Sequence, residues 1–184
     1  MVSNIYVHKP RGQAVYVHGF KRLSFYNLNI DTTSFHEGIF INTNAQVSIH
    51  GFNCEGSKLD NGQAIVTIRG GSVVLLENGQ ITPASVLSGT AYGIFMTSDN
   101  TKLILLNVNV GTLATGFRQV YTASNQNSML TNLSPLITDI HNATGINSKP
   151  TVNNLNAPKV IVSPEIDLTG EEKNLVLALP SNKI

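Results

Sequence analysis

The sequence predicts an all-β fold, a right-handed parallel β-helix of about five coils with a short strand-turn-strand segment after it. Three observations support this prediction. Similar apolar segments recur roughly every 25 residues, β-branched residues follow a period of two, and Asn, Gly and Ser separate the apolar runs. Of the 184 residues, 41% are hydrophobic and 12% are charged. This composition favours one folded domain with a core over a disordered chain.

Five repeats begin with Gln or Gly followed by apolar residues. They start at Gln13, Gly38, Gln63, Gly93 and Gln119, at offsets of 25, 25, 30 and 26 residues. A second apolar run follows in each repeat; the runs span Leu23–Ile30, Val47–Cys54, Val73–Ile81, Leu103–Val110 and Met129–Ile137. Two short strands cannot bury a hydrophobic face alone, so the repeats are expected to stack into a solenoid. A jelly roll or a sandwich stays open as an alternative, because regularly spaced short strands also describe those folds.

The repeat also sets the expected domain boundaries. Residues 1–12 are expected to form a lead-in strand and residues 13–145 the β-helix. Residues 146–184 are expected to form a C-terminal β segment, with two strands around the Gly170–Lys173 turn. Strand-like residues begin almost at the N-terminus and the tail lacks a clear stop. We therefore expect this chain to be a piece of a longer protein.

The outward positions of the predicted strands contain many apolar residues. If the first and third residues after each repeat start face the core, the residue between them faces out. An apolar stripe several coils long predicts a partner surface, and in a thin shaft the natural partner is a second and third copy of the chain. The alternative is that a loop or the C-terminal segment covers the stripe. The expected trimer interface comprises Val15, Phe40, Ile65, Phe95, Val74, Leu76, Ile104 and Leu106.

Charge and cysteine content exclude several classes of function. Lys and Arg number 12 and Asp and Glu 11, so no basic face for nucleic acid is expected. No apolar run is long enough to span a membrane, and no membrane insertion is expected. The one cysteine, Cys54, cannot form an intrachain disulfide and is expected to be buried. The five histidines show no metal-binding spacing, so we expect neither a metal nor a cofactor.

The repeats, the amide-rich turns and the strand-turn-strand tail resemble bacteriophage tailspike and tail fibre proteins of the parallel β-helix type. The resemblance covers roughly residues 13–145 and rests on architecture, without a motif that identifies an enzyme family. It implies a homotrimer on the virion that acts outside the cell and binds bacterial capsule or O-antigen polysaccharide. Such proteins often cleave the polysaccharide by hydrolysis or elimination. Pectate lyases and polygalacturonases share the coil, but neither a lyase-like calcium cluster nor an Asp-Asp pair is visible here.

Carboxylates at one corner of the first two coils are the candidate catalytic groups. Asp31 and Glu55 end the second strands of neighbouring repeats, where stacking would place them about 4.8 Å apart. A glycosidase uses two carboxylates about 5 Å apart for retention and about 6.5–9.5 Å apart for inversion. The following loops are expected to add further groups at this corner: Glu37 and Asp60 as catalytic candidates, and His36 and Asn61 as substrate-binding candidates. The alternative is that all of them are solvated turn residues.

Two further residues are candidates for sugar contacts. Arg69 and Asp99 are expected to occupy equivalent outward positions in neighbouring coils, where an exposed cross-strand ion pair is the plainer interpretation. Tyr121, with other outward aromatics, could stack on a pyranose or simply pack against a subunit. Three functions therefore stay open: a trimeric polysaccharide-binding or depolymerising shaft, a purely structural shaft, and a monomeric secreted lyase or hydrolase.

Overall fold

The chain is built from strands that stack in parallel as a β-solenoid. The computed structural model describes residues 1–10, 12–19, 22–31, 37–123, 128–142 and 151–154, and it has no helix within these ranges. The strands wind through about four turns. The predicted fold class is therefore confirmed. The expected count of about five coils differs slightly from the observed count of about four turns.

Thirteen strands form two parallel sheets in the described part of the chain. Their bounds are β1 Val2–His8, β2 Val15–His18, β3 Leu23–Asp31, β4 Ile39–Asn42, β5 Gln46–Leu59, β6 Ala64–Ile68, β7 Val73–Val86, β8 Ala91–Thr97, β9 Lys102–Val110, β10 Phe117–Ala123, β11 Met129–Leu133, β12 Ile140–Asn142 and β13 Thr151–Asn154. The long sheet has seven strands, in the order β1-β3-β5-β7-β9-β11-β13. The short sheet has six, in the order β12-β10-β8-β6-β4-β2. Each strand thus pairs with its counterpart one coil away.

Inward side chains stack in columns that continue from coil to coil. One column on the long sheet comprises Leu23, Val47, Val74, Leu103 and Leu130. A column on the short sheet comprises Val15, Ile39, Val66, Ile94 and Val120. All but the half-buried Leu23 are buried in one contiguous core. Burying an aliphatic side chain of this size contributes about 1.5–3 kcal/mol, so the columns account for much of the stability.

Five of the seven strands of the long sheet, β1, β3, β5, β7 and β9, bend at a residue with positive φ near the middle of the strand. The bend residues are Asn4, Asn27, Gly51, Asn78 and Asn107, with φ values of 55°, 55°, 67°, 51° and 51°. Registers on either side of the bend place all five at the same level of successive coils. Asn and Gly adopt left-handed backbone at the lowest cost, which explains their choice here. The bend divides the outer surface of each of these strands into one face before the bend and one face after it.

Hydroxyl groups stack in the turn that leads from the short sheet into the long sheet. Ser72, Thr101 and Ser128 are buried at successive levels. The amide of Ala45 donates to Ser72 Oγ at 3.3 Å, and the amide of Thr101 donates to Ser128 Oγ at 3.2 Å. Ser72 and Thr101 also donate to a carbonyl of their own turns, and Ser128 donates to the Ser98 carbonyl in the turn of the preceding coil. The column satisfies backbone groups that would otherwise be buried without a partner.

The structure corrects part of the predicted assignment of faces. Val74 and Leu76 were expected to point outward, but both are fully buried, and Val73 and Leu75 face out instead. The expected alignment was one residue out of register, and a shift of one residue exchanges the two faces of a strand. Val15 was misplaced for the same reason, since it pairs with Ile39 and lies in the core.

Ile65 was also expected to face outward, but it is fully buried. It belongs to β6, whose five residues are all buried, as is usual for strands covered on both faces. Phe95, Ile104 and Leu106 do lie on outer faces and are half-buried, whereas Phe40 is buried beneath a neighbouring side chain.

The first and last of these strands, β1 and β13, belong to the long sheet although they lie outside the boundaries expected for the β-helix. β1, from the segment expected as a lead-in, is the first strand of the long sheet and pairs with β3. β13 lies beyond residue 145 and pairs with β11 as the last strand of the same sheet. The expected turn at Gly170–Lys173 lies outside the described residues. No helix in the described part of the chain is long and apolar enough to cross a membrane.

Candidate functional site

Asp31 and Glu55, the two main catalytic candidates, lie side by side. Both follow the bend of their strands, Asp31 as the last residue of β3 and Glu55 within β5, and they are direct partners in the parallel register. Neighbouring strands lie about 4.8 Å apart, so the two carboxylates occupy adjacent positions on one outer face. This part of the predicted corner is present in the structure.

Two residues of β1 that were not predicted as site residues, Tyr6 and His8, contact Asp31. His8 Nδ1 lies 2.6 Å from Asp31 Oδ2, and the Tyr6 hydroxyl donates to the same oxygen at 3.4 Å. Partial desolvation, followed by the negative charges of Asp31 and Glu55, raises the pKa of the Tyr6 phenol. The signal that could have identified them is that Tyr6 and His8 alternate with the apolar residues Ile5 and Val7.

The remaining candidates at this corner have partners of their own. Gln13 Nε2 donates to Glu37 Oε2 at 3.3 Å, and Ser88 Oγ donates to Asp60 Oδ1 at 3.3 Å. The amide of Thr90 donates to Asn61 Oδ1 at 3.0 Å. These contacts support loops of neighbouring coils, as expected of turn residues. His36 lies outside the described residues.

Arg69 differs from its predicted arrangement. Ile68 pairs with Met96, which places Arg69 level with Thr97 and two residues before the level of Asp99. The expected equivalence of Arg69 and Asp99 is therefore wrong. The guanidinium lies 4.5 Å from the centroid of the Phe40 ring, a cation–π contact that also shields this ring from solvent.

Tyr121 belongs to an aromatic column on the outer face of the short sheet. Its ring stacks on Tyr92 at 4.6 Å and on His141 at 5.3 Å. In the first coils of the same face, Tyr16 stacks on Phe40 at 5.4 Å, and Thr67 separates this pair from the rings around Tyr121. Stacked rings cover one another's faces, so they stabilise the sheet and leave mainly their edges for a ligand.

A polar groove, here called the amide groove, runs along the bends of the long sheet. Its first wall comprises the bend residues Asn4, Asn27, Gly51, Asn78 and Asn107. Its second wall comprises Tyr6, Asn29, Asn53, Gln80 and Asn109. Two depressions of about 430 and 390 Å³ lie between the walls and share Phe52 and Asn53. The groove therefore runs along the solenoid from coil to coil.

Hydrogen bonds within the walls orient the amides. Asn27 Nδ2 donates to Asn4 Oδ1 at 3.0 Å, and Asn107 Nδ2 donates to Asn78 Oδ1 at 2.8 Å. On the second wall, Asn53 Nδ2 donates to Asn29 Oδ1 at 3.5 Å. Each amide carries two donor hydrogens and two acceptor lone pairs, so each bonded amide keeps capacity for a ligand. Neither wall contains a charged residue, whereas Asp31 and Glu55 lie two residues beyond Asn29 and Asn53 on the same face.

The amide groove escaped the sequence-based prediction. The Asn residues were recognised as turn-formers, but a turn residue at the same level of every coil also builds a continuous surface. The sequence signal was present in the recurring pattern Asn-Leu-Asn at 27–29, Asn-Gly-Gln at 78–80 and Asn-Val-Asn at 107–109.

A separate apolar depression of about 290 Å³ lies on the part of the long sheet before the bend. Its lining includes Val73, Leu75 and Ile104. These side chains, and not Val74 and Leu76, are the outward-facing apolar residues of this sheet.

No group of three His, Cys, Asp or Glu side chains in the described ranges is arranged to hold a metal ion. Cys54 is buried in the core, and desolvation raises the pKa of its thiol to about 12. This thiol is therefore neutral at ordinary pH and unsuited to act as a nucleophile.

Comparison with known proteins gives no match that bears on this site. No protein-family model matches the chain, and neither a curated protein nor a solved structure gives a significant match.

Proposed function

We propose that this chain is a polysaccharide-binding β-solenoid, a section of a phage tailspike or tail fibre that engages bacterial capsule or O-antigen. The observation that carries the proposal is the amide groove. Amides bond sugar hydroxyls both as donors and as acceptors, and their regular spacing along the solenoid suits a polymer better than a small ligand.

The low charge of the groove indicates the kind of partner. Uncharged walls favour neither a nucleic acid nor a strongly anionic polymer, both of which need Lys or Arg for affinity. The shallow depressions leave a bound chain partly in solvent, so many weak hydrogen bonds would share the binding energy.

Cleavage of the polysaccharide is a second candidate function, favoured by the adjacent carboxylates Asp31 and Glu55. Their spacing is close to that of a retaining glycosidase. In this proposal, the Tyr6 and His8 contacts orient Asp31, and Glu55 is the partner carboxylate. Asp31→Asn and Glu55→Gln should each abolish the release of reducing ends while binding persists.

Self-association as a homotrimer is part of the proposal. The outward-facing apolar residues Val73, Leu75, Ile104 and Leu106, of which Val73 is exposed and the others half-buried, support it, because they lie on consecutive coils of one face. Light scattering should give a concentration-independent mass three times the 19.8 kDa of one chain. Leu75→Glu should reduce that mass to one chain, whereas Gln80→Glu, on the groove face, should not.

The binding proposal is tested on a panel of purified capsular and O-antigen polysaccharides. Wild-type protein should bind at least one of them. Asn53→Ala combined with Asn109→Ala should weaken that binding at least tenfold, and Gln46→Ala, before the bend of β5, should leave it unchanged. A folded trimer that binds none of the panel would favour a purely structural shaft. A monomer that cleaves polysaccharide would favour a secreted lyase or hydrolase.

A further inference from the structure

The first wall of the amide groove is interrupted at one coil. Asn27, Gly51 and Asn78 occupy the same level in three successive coils, and only Gly51 lacks a side chain. Because neighbouring strands are about 4.8 Å apart, Asn27 and Asn78 are separated by about 10 Å with one missing amide between them. The gap opens into the groove, where Gly51 lines the depression beside Asn27 and Asn53.

The interruption leaves complementary groups on its two sides. Within the wall, each Nδ2 donates to the Oδ1 of the preceding coil, as Asn27 does to Asn4 and Asn107 does to Asn78. An amide at the level of Gly51 would donate to Asn27 Oδ1 and accept from Asn78 Nδ2. Both side chains are exposed, and Asn27 Oδ1 lies 3.1 Å from the position that a Cβ of Gly51 would take. Asn78 Oδ1 accepts from Asn107 on the far side of the gap, so Nδ2 is the group that Asn78 can offer toward Gly51. A planar group with one N–H and one C=O would complete the column.

We infer that the gap at Gly51 receives the acetamido group of an N-acetylated amino sugar in the bound polysaccharide. The sugar N–H would donate to Asn27 Oδ1, and its carbonyl would accept from Asn78 Nδ2. This inference rests on the proposed function, since it names the sugar class that the amide groove recognises. The second wall would bond the hydroxyls of the neighbouring sugars through Asn29, Asn53 and Gln80.

An acetamido group fits better than a hydroxyl for a geometric reason. A hydroxyl carries only one hydrogen and is too short to reach both sides of a gap of two strand spacings. A carboxylate could accept from Asn78, but it would place negative charge against the Asn27 carbonyl oxygen. The acetamido group supplies a donor and an acceptor at opposite ends of one plane, as the Asn side chain does.

Two oligosaccharides test the inference on the full chain. The hexamer of N-acetylglucosamine and cellohexaose have the same β-1,4 backbone and differ only in the acetamido or hydroxyl group at carbon 2. The acetamido hexamer should bind at least tenfold more tightly than cellohexaose, as expected from two hydrogen bonds that only one ligand can make. The same difference should divide the polysaccharide panel into binders with and non-binders without acetamido groups.

Two substitutions locate the effect. Gly51→Asn should complete the wall, since Asn tolerates the φ of 67° if Asn27 Oδ1, 3.1 Å from the new Cβ, moves by a few tenths of an ångström. It should abolish acetamido-dependent binding. Asn78→Asp keeps the bond from Asn107 but removes the donor toward the gap, and should weaken binding at least tenfold. Asn100→Asp, a matched change at another residue of positive φ (58°), should have no effect.

The outcomes separate the two proposals. Loss of binding on Gly51→Asn and Asn78→Asp, with folding confirmed by circular dichroism, supports the inference. Binding of panel polysaccharides that lack acetamido groups, unaffected by either substitution, overturns the inference and leaves the proposed function standing. Absence of binding to the hexamers and to the whole panel overturns both.

Discussion

Asparagine has two roles in this chain at the scale of single residues. At the bends it adopts a left-handed backbone that most L-residues avoid, and its side chain then bonds the next coil. The 21 Asn residues are thus more than turn-formers. Because the bend recurs in five successive strands, a local backbone requirement generates a surface of chemically uniform groups, and the one glycine among the five bend residues becomes a distinct site.

Cys54 should make stability depend on alkaline pH. Its thiol pKa is about 12 in the folded chain and 9.0 when unperturbed. Between pH 9 and pH 12 the thiol is deprotonated in the unfolded state and protonated in the folded state. Its contribution to the free energy of unfolding is therefore fully present below pH 9 and is lost as the pH rises. The expected loss is about 1.4 kcal/mol per pH unit. Urea unfolding from pH 8 to 11 should show this slope for wild type beyond that of Cys54→Ala; equal slopes would contradict the burial of the thiol.

At the scale of elements, the direction of each strand face decides what a substitution costs. Leu76 is fully buried and Leu75, next to it in β7, faces out. Leu76→Ala should cost about 2–5 kcal/mol because it leaves a cavity in the core. Leu75→Ala should cost less than about 1 kcal/mol in the isolated chain. Urea unfolding of both variants at a concentration where the chain is monomeric measures the difference, and the reverse order would restore the face assignment predicted from the sequence.

The buried hydroxyl column gives a second prediction for the elements. Thr101 Oγ1 accepts from the amide of Gly71 at 3.3 Å and donates to the carbonyl of Thr97 at 2.9 Å. Thr101→Val keeps the shape but leaves both groups without a partner, which should cost about 1–3 kcal/mol. Thr112→Val, at an exposed position, should change stability by less than about 0.5 kcal/mol. Similar losses in the two variants would show that the column does not support the turn.

The fold was predictable because the repeat is a property of the sequence itself. Apolar runs at offsets of 25 to 30 residues are enough to indicate a stacked solenoid, and the pairing of Asp31 with Glu55 followed from it. The inward and outward faces of the strands were harder to predict, because loops of unequal length hide the strand register. An alignment error of one residue placed Val74 on the outer face and Val73 in the core. The contact of Tyr6 and His8 with Asp31 could not be predicted while β1 was treated as a lead-in outside the coils.

At the scale of the whole molecule, stacking makes one side of the solenoid differ from another along its entire length. The short sheet carries the aromatic column, the part of the long sheet before the bend carries exposed apolar residues, and the part after it carries the amide groove and the two carboxylates. Self-association and polysaccharide binding can therefore occupy different faces. A trimer formed through Leu75 and Ile104 should bind polysaccharide as well as a monomeric Leu75→Glu variant does per chain, apart from avidity. Binding titrations expressed per groove measure this, and loss of binding in the monomer would place the site between subunits.

The measurement that tests the central claim most directly is nuclear magnetic resonance of the deuterated protein titrated with a polysaccharide that it binds. The side-chain amide signals of the groove should shift until the protein is saturated with ligand; these signals come from Asn27, Asn53, Asn78 and Asn109. The signals of Gln46 and Asn100 should not shift. Shifts confined to the aromatic column around Tyr16 and Tyr121, with unchanged groove amides, would contradict the account and move the binding face to the short sheet.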